Sequence, residues 1–168
     1  NYVGRDDQAA EVLAYLSSSS ARANAGQIWL TAAESAAITA DVQADGNSLS
    51  VGLIAVAASG AGVVLENQVN TLVRAAVSNT RNSGVQASSG VTISAQDTSK
   101  ITANAKAATF AAAVGVGAAV SVSASRASNT IASTVDAHAT SASITTTSGN
   151  LSIDAAESAT IETSSVAS

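Results

Sequence analysis

The sequence predicts an all-β chain, a parallel β-solenoid built from repeats of about 60 residues, and three observations lead to that expectation. A motif that begins at Gly26 returns at Gly90 and Gly149. Apolar residues alternate with small or polar ones at a period of two. The large side chains that fill a globular core are almost missing: one Trp, one Phe, two Tyr and no Met, while Ala and Val supply most of the 46% hydrophobic residues.

The repeat is read directly. Gly26 opens Gly-Gln-Ile-Trp-Leu-Thr-Ala-Ala-Glu-Ser-Ala-Ala-Ile, ending at Ile38. Gly149 opens Gly-Asn-Leu-Ser-Ile-Asp-Ala-Ala-Glu-Ser-Ala-Thr-Ile, ending at Ile161, in gapless register across 149 − 26 = 123 residues. Gly90 opens a middle copy, one residue shorter, ending at Ile101. A second landmark has the same spacing: Asn67, Val69, Val73 and Ala75 match Asn129, Ile131, Val135 and Ala137. Val12 and Ala14 read as the end of an earlier copy, whereas residues 1–8 read as having lost the Asn landmark. The divisions are the end of a preceding repeat (1–25), repeat one (26–89), repeat two (90–148) and the start of a third (149–168), all in one continuous stack. A chain that starts inside one repeat and stops inside another is expected to belong to something longer. Its ends fall near the phases of Ala124 and Lys106.

Within repeat two, strand signals cover residues 91–95, 100–103, 114–123, 130–137 and 143–146. The pairs Gly149–Asn150 and Ser83–Gly84, and the run Asp45, Gly46 and Asn47, supply turn chemistry. The simplest packing is about three coils of ~20 residues per unit. A short helix over residues 7–16 competes with strand there, because Ala9, Val12, Leu13 and Leu16 share one helical face. In the Gly/Ala/Val runs at 51–65 and 107–124, Gly and Ala let backbones or facing sheets approach closely. Val at the alternate positions supplies β-propensity and burial. The interior is therefore expected to be narrow, and strands of this kind are prone to pair with other chains.

Composition also excludes functions. Mean hydropathy is positive, which argues against disorder. Net charge is −5, so no basic footprint for nucleic acid exists. Without Cys there is neither a disulfide framework nor a thiolate metal site. The weakly polar run at 107–120 is shorter than the ~20 residues a membrane-spanning helix needs, so no stable span is expected.

Catalytic constellations are not found. His138, the one histidine, lacks the partners of a triad or a zinc site, and the equivalent places hold Ala76 and Tyr15, so it reads as an exposed side chain. The glycines at 60, 62, 115 and 117 lie in Val-rich alternation, not before a helix as a dinucleotide fingerprint requires. Asp6, Asp7, Asp41, Asp45, Asp97, Asp136, Asp154 and Glu157 are scattered; they form no calcium loop and leave room only for adventitious calcium between coils. Glu34, Asp97 and Glu157 share one repeat position, which reads as surface. The recurring Asn67 and Asn129 are candidates for a side-chain ladder. With Gly26, Gly90, Gly149, Ile38, Ile101 and Ile161 they make up the predicted structural positions; no catalytic or cofactor residue is assigned. Trp29, alone in its strand, marks a candidate contact with another chain.

The Asn-x-Ile-x-x-x-Val-x-Ala of residues 129–137, the Gly-Asn-Leu-Ser-Ile-Asp-Ala of 149–155 and the Ala-Val-Gly-Val-Gly-Ala-Ala-Val-Ser-Val of 113–122 resemble the repeats of giant bacterial leukotoxin-type filamentous adhesins. That resemblance implies β-helical architecture, a place at or outside the bacterial surface and no catalytic residues. The expected role is a non-enzymatic structural segment of an extracellular fibre, which continues in a longer chain or self-associates. An adhesin module that grips a host or neighbouring cell is the alternative. A membrane-inserting toxin segment, with residues 51–65 and 107–122 as β-hairpins, is the second alternative.

Overall fold

The computed structural model describes residues 1–5 and 7–168, and the described chain is all strand and turn. Eleven strands follow in order: β1 Tyr2–Val3, β2 Ala10–Ser17, β3 Ala21–Ala23, β4 Gln27–Glu34, β5 Ala37–Ser78, β6 Val85–Ala87, β7 Gly90–Asp97, β8 Lys100–Thr140, β9 Ile144–Thr146, β10 Leu151–Glu157 and β11 Thr160–Ala167. Every pairing between strands is parallel. One stack runs β4–β7–β10 and a second β3–β6–β9, while the largest sheet joins β1 and β2 to β5, then β8, then β11.

The stacking offset is one whole repeat. Asn67 meets Asn129 at a separation of 62 residues, as Thr71 meets Ser133. Ile38 pairs with Ile101, and Ile101 with Ile161. Strands therefore pair across a whole repeat of 62 residues, not across the ~20-residue coils expected. The two longest strands make this possible, because each doubles back on itself. Gly46 and Gly60, both within β5, lie so close that a Cβ on Gly46 would stand 2.5 Å from the Gly60 carbonyl oxygen. In β8, Ser125 Oγ donates to the carbonyl oxygen of Ala105 at 2.9 Å across the same gap. The reversal in β5 falls at a register shift between Val51 and Ile54, and its counterpart in β8 holds Gly115 at φ +124°.

Each coil thus has two facing walls, and the core lies between them. Ile38, Ala40, Ile101, Ala103 and Ala105 on one wall pack against Val63, Leu65 and Val69 on the other. Toward the opposite end, Val91, Ile93 and Ala95 of β7 meet Val73, Ala75 and Val77 of β5, closed by Val85 and Ala87 of β6. Because stacked layers repeat the same small residues, each wall stays flat and the core stays narrow.

Three local expectations change. Residues 7–16 form no helix: β2 lies in parallel register on Thr71 to Ser78 and alternates half-buried with exposed along its length. Val12, Ala14 and Leu16 reach the core between the walls, so tertiary pairing outweighs the helical periodicity. Asp45, Gly46 and Asn47 form no turn but continue β5. The runs at 51–65 and 107–122 pair with each other in parallel, one above the other, instead of forming two hairpins.

Candidate functional site

The columns of side chains that run across the layers are the chemical features of this fold. In-register parallel strands place equivalent residues about 4.8 Å apart, so one polar residue per repeat becomes a continuous row.

The first row is an amide ladder. Asn1 Nδ2 donates to Asn67 Oδ1, Asn67 Nδ2 donates to Asn129 Oδ1, and Asn129 Nδ2 donates to Thr163 Oγ1, each at 2.7 Å. Asn67 is 1% exposed, so its amide relies on these partners. Asn1 occupies the ladder, and Val3 pairs with Val69. The N-terminal segment therefore keeps the Asn landmark that the sequence reading took as lost. The insertion at 4–9, before the pairing resumes at Ala10, hid it. Asn1 accordingly falls at the phase of Asn129 and not of Ala124. At the other end, Ser168 bonds to Ala107 and Thr109 and lies at the phase of Ala108.

The second row centres on Asp97, which is 1% exposed. It receives the Ser99 hydroxyl at 2.6 Å and the Ser99 N–H at 2.9 Å, both on Oδ1, and the Thr71 hydroxyl at 3.3 Å on Oδ2. Burial pushes its carboxyl up, but the hydrogen bonds from Ser133, Ser99 and Thr71 outweigh that and hold it below the ordinary value. Glu34 and Glu157 pair with Asp97 in register. The shared position is thus exposed at Glu157, half-buried at Glu34 and interior at Asp97, where a shorter carboxylate ties β7 to the facing wall.

The third row is outward. Leu13, Arg74 and Asp136 stack in one column, and Tyr15, Ala76 and His138 in the column two residues on. Arg74 Nε donates to Asp136 Oδ2 at 2.9 Å, and His138 Nδ1 lies 3.1 Å from both Asp136 oxygens. Burial pushes the Asp136 carboxyl up, yet the hydrogen bond and charge of His138, followed by those of Arg74, hold it below its ordinary value. His138, expected to be an exposed side chain, is about a third exposed and is partnered by Asp136.

The predicted glycines serve backbone geometry. Gly26 and Gly90 adopt φ of +121° and +152°, conformations that disfavour other residues. Gly149 passes so close to Ser89 that a Cβ would overlap its carbonyl oxygen. The three do not stack on one another: Gly90 pairs with Gln27, and Val91 pairs with Leu151. The one-residue deficit of the middle copy is thereby absorbed in the turn. Ile38 and Ile101 are buried, while Ile161 in the last strand is half exposed.

The Gly/Ala/Val runs hold a further feature. Between the walls sit Ala55 and Ala57, each 1% exposed, while Leu53 and Ile54 are 94% and 85% exposed and Val56, Val64, Val116 and Val122 also face out. Val was expected to supply the burial; Val63 does so, with Leu65, where the run meets the core, whereas toward the tip Ala55 and Ala57 take the inside. No charge falls within 46–65 or 107–125, so this end of each coil is an uncharged apolar lobe.

Among the described residues no three His, Asp or Glu side chains gather as a metal cluster; Asp6 lies outside them. The glycines at 60, 62, 115 and 117 are all within strands. The Asp97 network and the Arg74–Asp136 pair escaped the sequence reading, although applying the repeat offset to every charged residue would have found the pair. Comparisons with known protein families, with curated proteins and with solved structures find no match.

Proposed function

We propose that this chain is a non-catalytic structural segment of an extracellular or cell-surface fibre, folded as a parallel β-solenoid with one coil per repeat. The leukotoxin-type adhesin repeats remain the family whose pattern it resembles. The single observation behind this reading is the unbroken in-register pairing of β5 with β8, which repeats again between β8 and β11. Backbone hydrogen bonds then run along the stacking axis, and stiffness and length are what such a stack provides. The outermost strands of each stack, β4 and β10, β3 and β9, carry unpaired backbone on one side. Such edges accept another strand, from the same longer chain or from a second copy, and open-ended stacking of copies generates a filament.

The apolar lobe favours a second reading, in which it meets lipid. Its residues are exposed and uncharged, and each wall has the length of a bilayer-crossing strand, about 9–11 residues. Against this, open sheet edges in hydrocarbon would leave backbone groups unsatisfied, so lateral contact between lobes of neighbouring copies is the better use of the same surface.

The test is sedimentation and electron microscopy of the purified chain over rising concentration, with and without calcium. Filaments with an axial spacing of about 4.8 Å support the fibre reading. Dispersed single particles at every concentration would refute self-association and leave a module of a longer chain. Leakage of dye from liposomes at concentrations where no filaments form would shift the weight to the lipid reading.

A further inference from the structure

We propose that the outer face of the β2–β5–β8 stack binds a sugar that carries a carboxylate. The site is a groove of about 300 Å³ that crosses three layers, and its shape follows from one small residue. Ala76 separates Tyr15 on one neighbouring strand from His138 on the other. Two strand spacings place those two residues about 10 Å apart, with Ala76 as the floor between them. Tyr15 is 68% exposed, so an aromatic ring faces solvent at one wall. Leu13 extends that apolar wall and Arg74 lies beside it.

The chemistry of the lining selects the ligand. A flat exposed ring with no protein partner offers a stacking surface, and tyrosine is suited to positions with one apolar and one wet end. Arg74 commits Nε to Asp136, and that bond fixes the plane of the guanidinium. Its terminal nitrogens match a carboxylate in the paired geometry arginine favours. Asp136 also anchors His138 through Nδ1, which sets the imidazole with its other nitrogen away from the pair. Ser17 and Ser78 line the same groove and supply hydroxyls that both donate and accept. A ring with an apolar face, one carboxylate and several hydroxyls satisfies all of these groups. A neutral sugar leaves Arg74 unused, and a flat aromatic acid leaves the serines unused. The groove opens on the lateral face, while Tyr15 and His138 stand on β2 and β8, the first and last strands of that stack, so binding is measured at concentrations where the chain is dispersed.

The experiment is ligand-observed NMR on the whole chain with glucuronic acid, N-acetylneuraminic acid, glucose and benzoate. Either acidic sugar is expected to bind in the low millimolar range, as suits an open groove of this size, about 4 kcal/mol or less. Glucose and benzoate are expected to bind at least about tenfold more weakly, about 1.4 kcal/mol. Arg74→Gln should remove the preference for the acid, Arg74→Lys should restore part of it, and Tyr15→Ala should abolish binding of all sugars. Both side chains are outward, so the circular dichroism of each variant should match the parent. Trp29→Ala, on a different stack, should change nothing. No binding of either acid up to about 10 mM, equal binding of benzoate, or an unchanged preference in Arg74→Gln overturns the proposal.

Discussion

Replacing Asp97 by Ala is expected to be among the most damaging single changes in the chain, and the structure allows the size to be worked. Ser99 is 0% exposed, and both its N–H and its hydroxyl donate to Asp97 Oδ1. Removing the carboxylate strands both donors in the interior, at about 1–3 kcal/mol each. Thr71 loses its 3.3 Å bond but keeps Ser133 at 2.9 Å, and Ser133, which also bonds to Asp97, is only half-buried, so these two add little. The expected loss is about 4 kcal/mol, the middle of that range. Asp97→Asn keeps an oxygen for both Ser99 donors and turns an amide N–H toward the Thr71 hydroxyl, so only the assistance of charge is lost, about 1 kcal/mol. Urea unfolding followed by far-ultraviolet circular dichroism reads both values. Acid titration adds a signed test. The folded carboxyl lies below its unfolded value near 3.8, so its contribution is complete above that pH and disappears as pH falls through the folded value. The stability gap between parent and Asp97→Asn should therefore be flat from neutral pH down to about pH 5 and narrow only in the acid range below it. Equal losses for the Ala and Asn variants, or an Ala loss below about 1 kcal/mol, would refute the hydrogen-bond reasoning.

Asn67→Ala interrupts the amide ladder on both sides, leaving Asn129 Oδ1 and Asn1 Nδ2 without partners; a loss of about 2–3 kcal/mol is expected in the same urea assay. Ser59→Ala runs the other way, because the Ser59 hydroxyl is buried with no hydrogen-bond partner. It should gain up to about 1 kcal/mol and raise the thermal midpoint by about 2–4 °C, and a fall in the midpoint would count against it. Gly117→Ala places a Cβ on the Ala55 carbonyl oxygen, which should part β5 from β8 in the lobe and raise hydrogen exchange there before elsewhere. Val56→Lys with Val120→Lys changes two outward lobe residues; stability should stay within about 0.5 kcal/mol, while any filaments should lose lateral association under the microscope.

The sequence made the period legible because the repeat is a property of the chain, and so are the Asn67–Asn129 and Ile38–Ile101–Ile161 columns that follow from it. It left the coil shape open. Alternation at a period of two says which residues share a face, not whether 62 residues close in three short coils or one flat one. The decision lies in the close approach of Gly46 to Gly60 and of Ala105 to Ser125, contacts between residues with no pattern linking them. The helical reading of residues 7–16 failed for a similar reason, since the strand partner at 71–78 is remote. Asn1 was missed because six residues after Val3 stand where the next repeat has Asn70 alone, a net insertion of five that breaks the spacing. The buried carboxylate was missed because its stacked neighbours, Glu34 and Glu157, are more exposed, so periodicity alone assigned it their surroundings.

One physical trade marks the lobe. A wall-to-wall distance small enough for Ser125 to reach the Ala105 carbonyl leaves Ala55, Ala57 and Ala107 inside there, while Ile and Val fill the rest of the core. Apolar burial per residue is then small, because an Ala side chain offers about one methyl where a Leu offers four carbons. The layers compensate by the length of their ladders: β5 and β8 pair over nearly their whole extent, and polar rows such as Asn1–Asn67–Asn129 add bonds in the same direction. Stability in this chain is therefore carried along the stacking axis more than across the core. A molecule built this way resists separation of its layers, tolerates large side chains on its outer faces, and gains from every further layer that is added. Those are properties of a spacer or fibre, and they leave the lateral face free to carry chemistry such as the Tyr15, Arg74 and His138 groove.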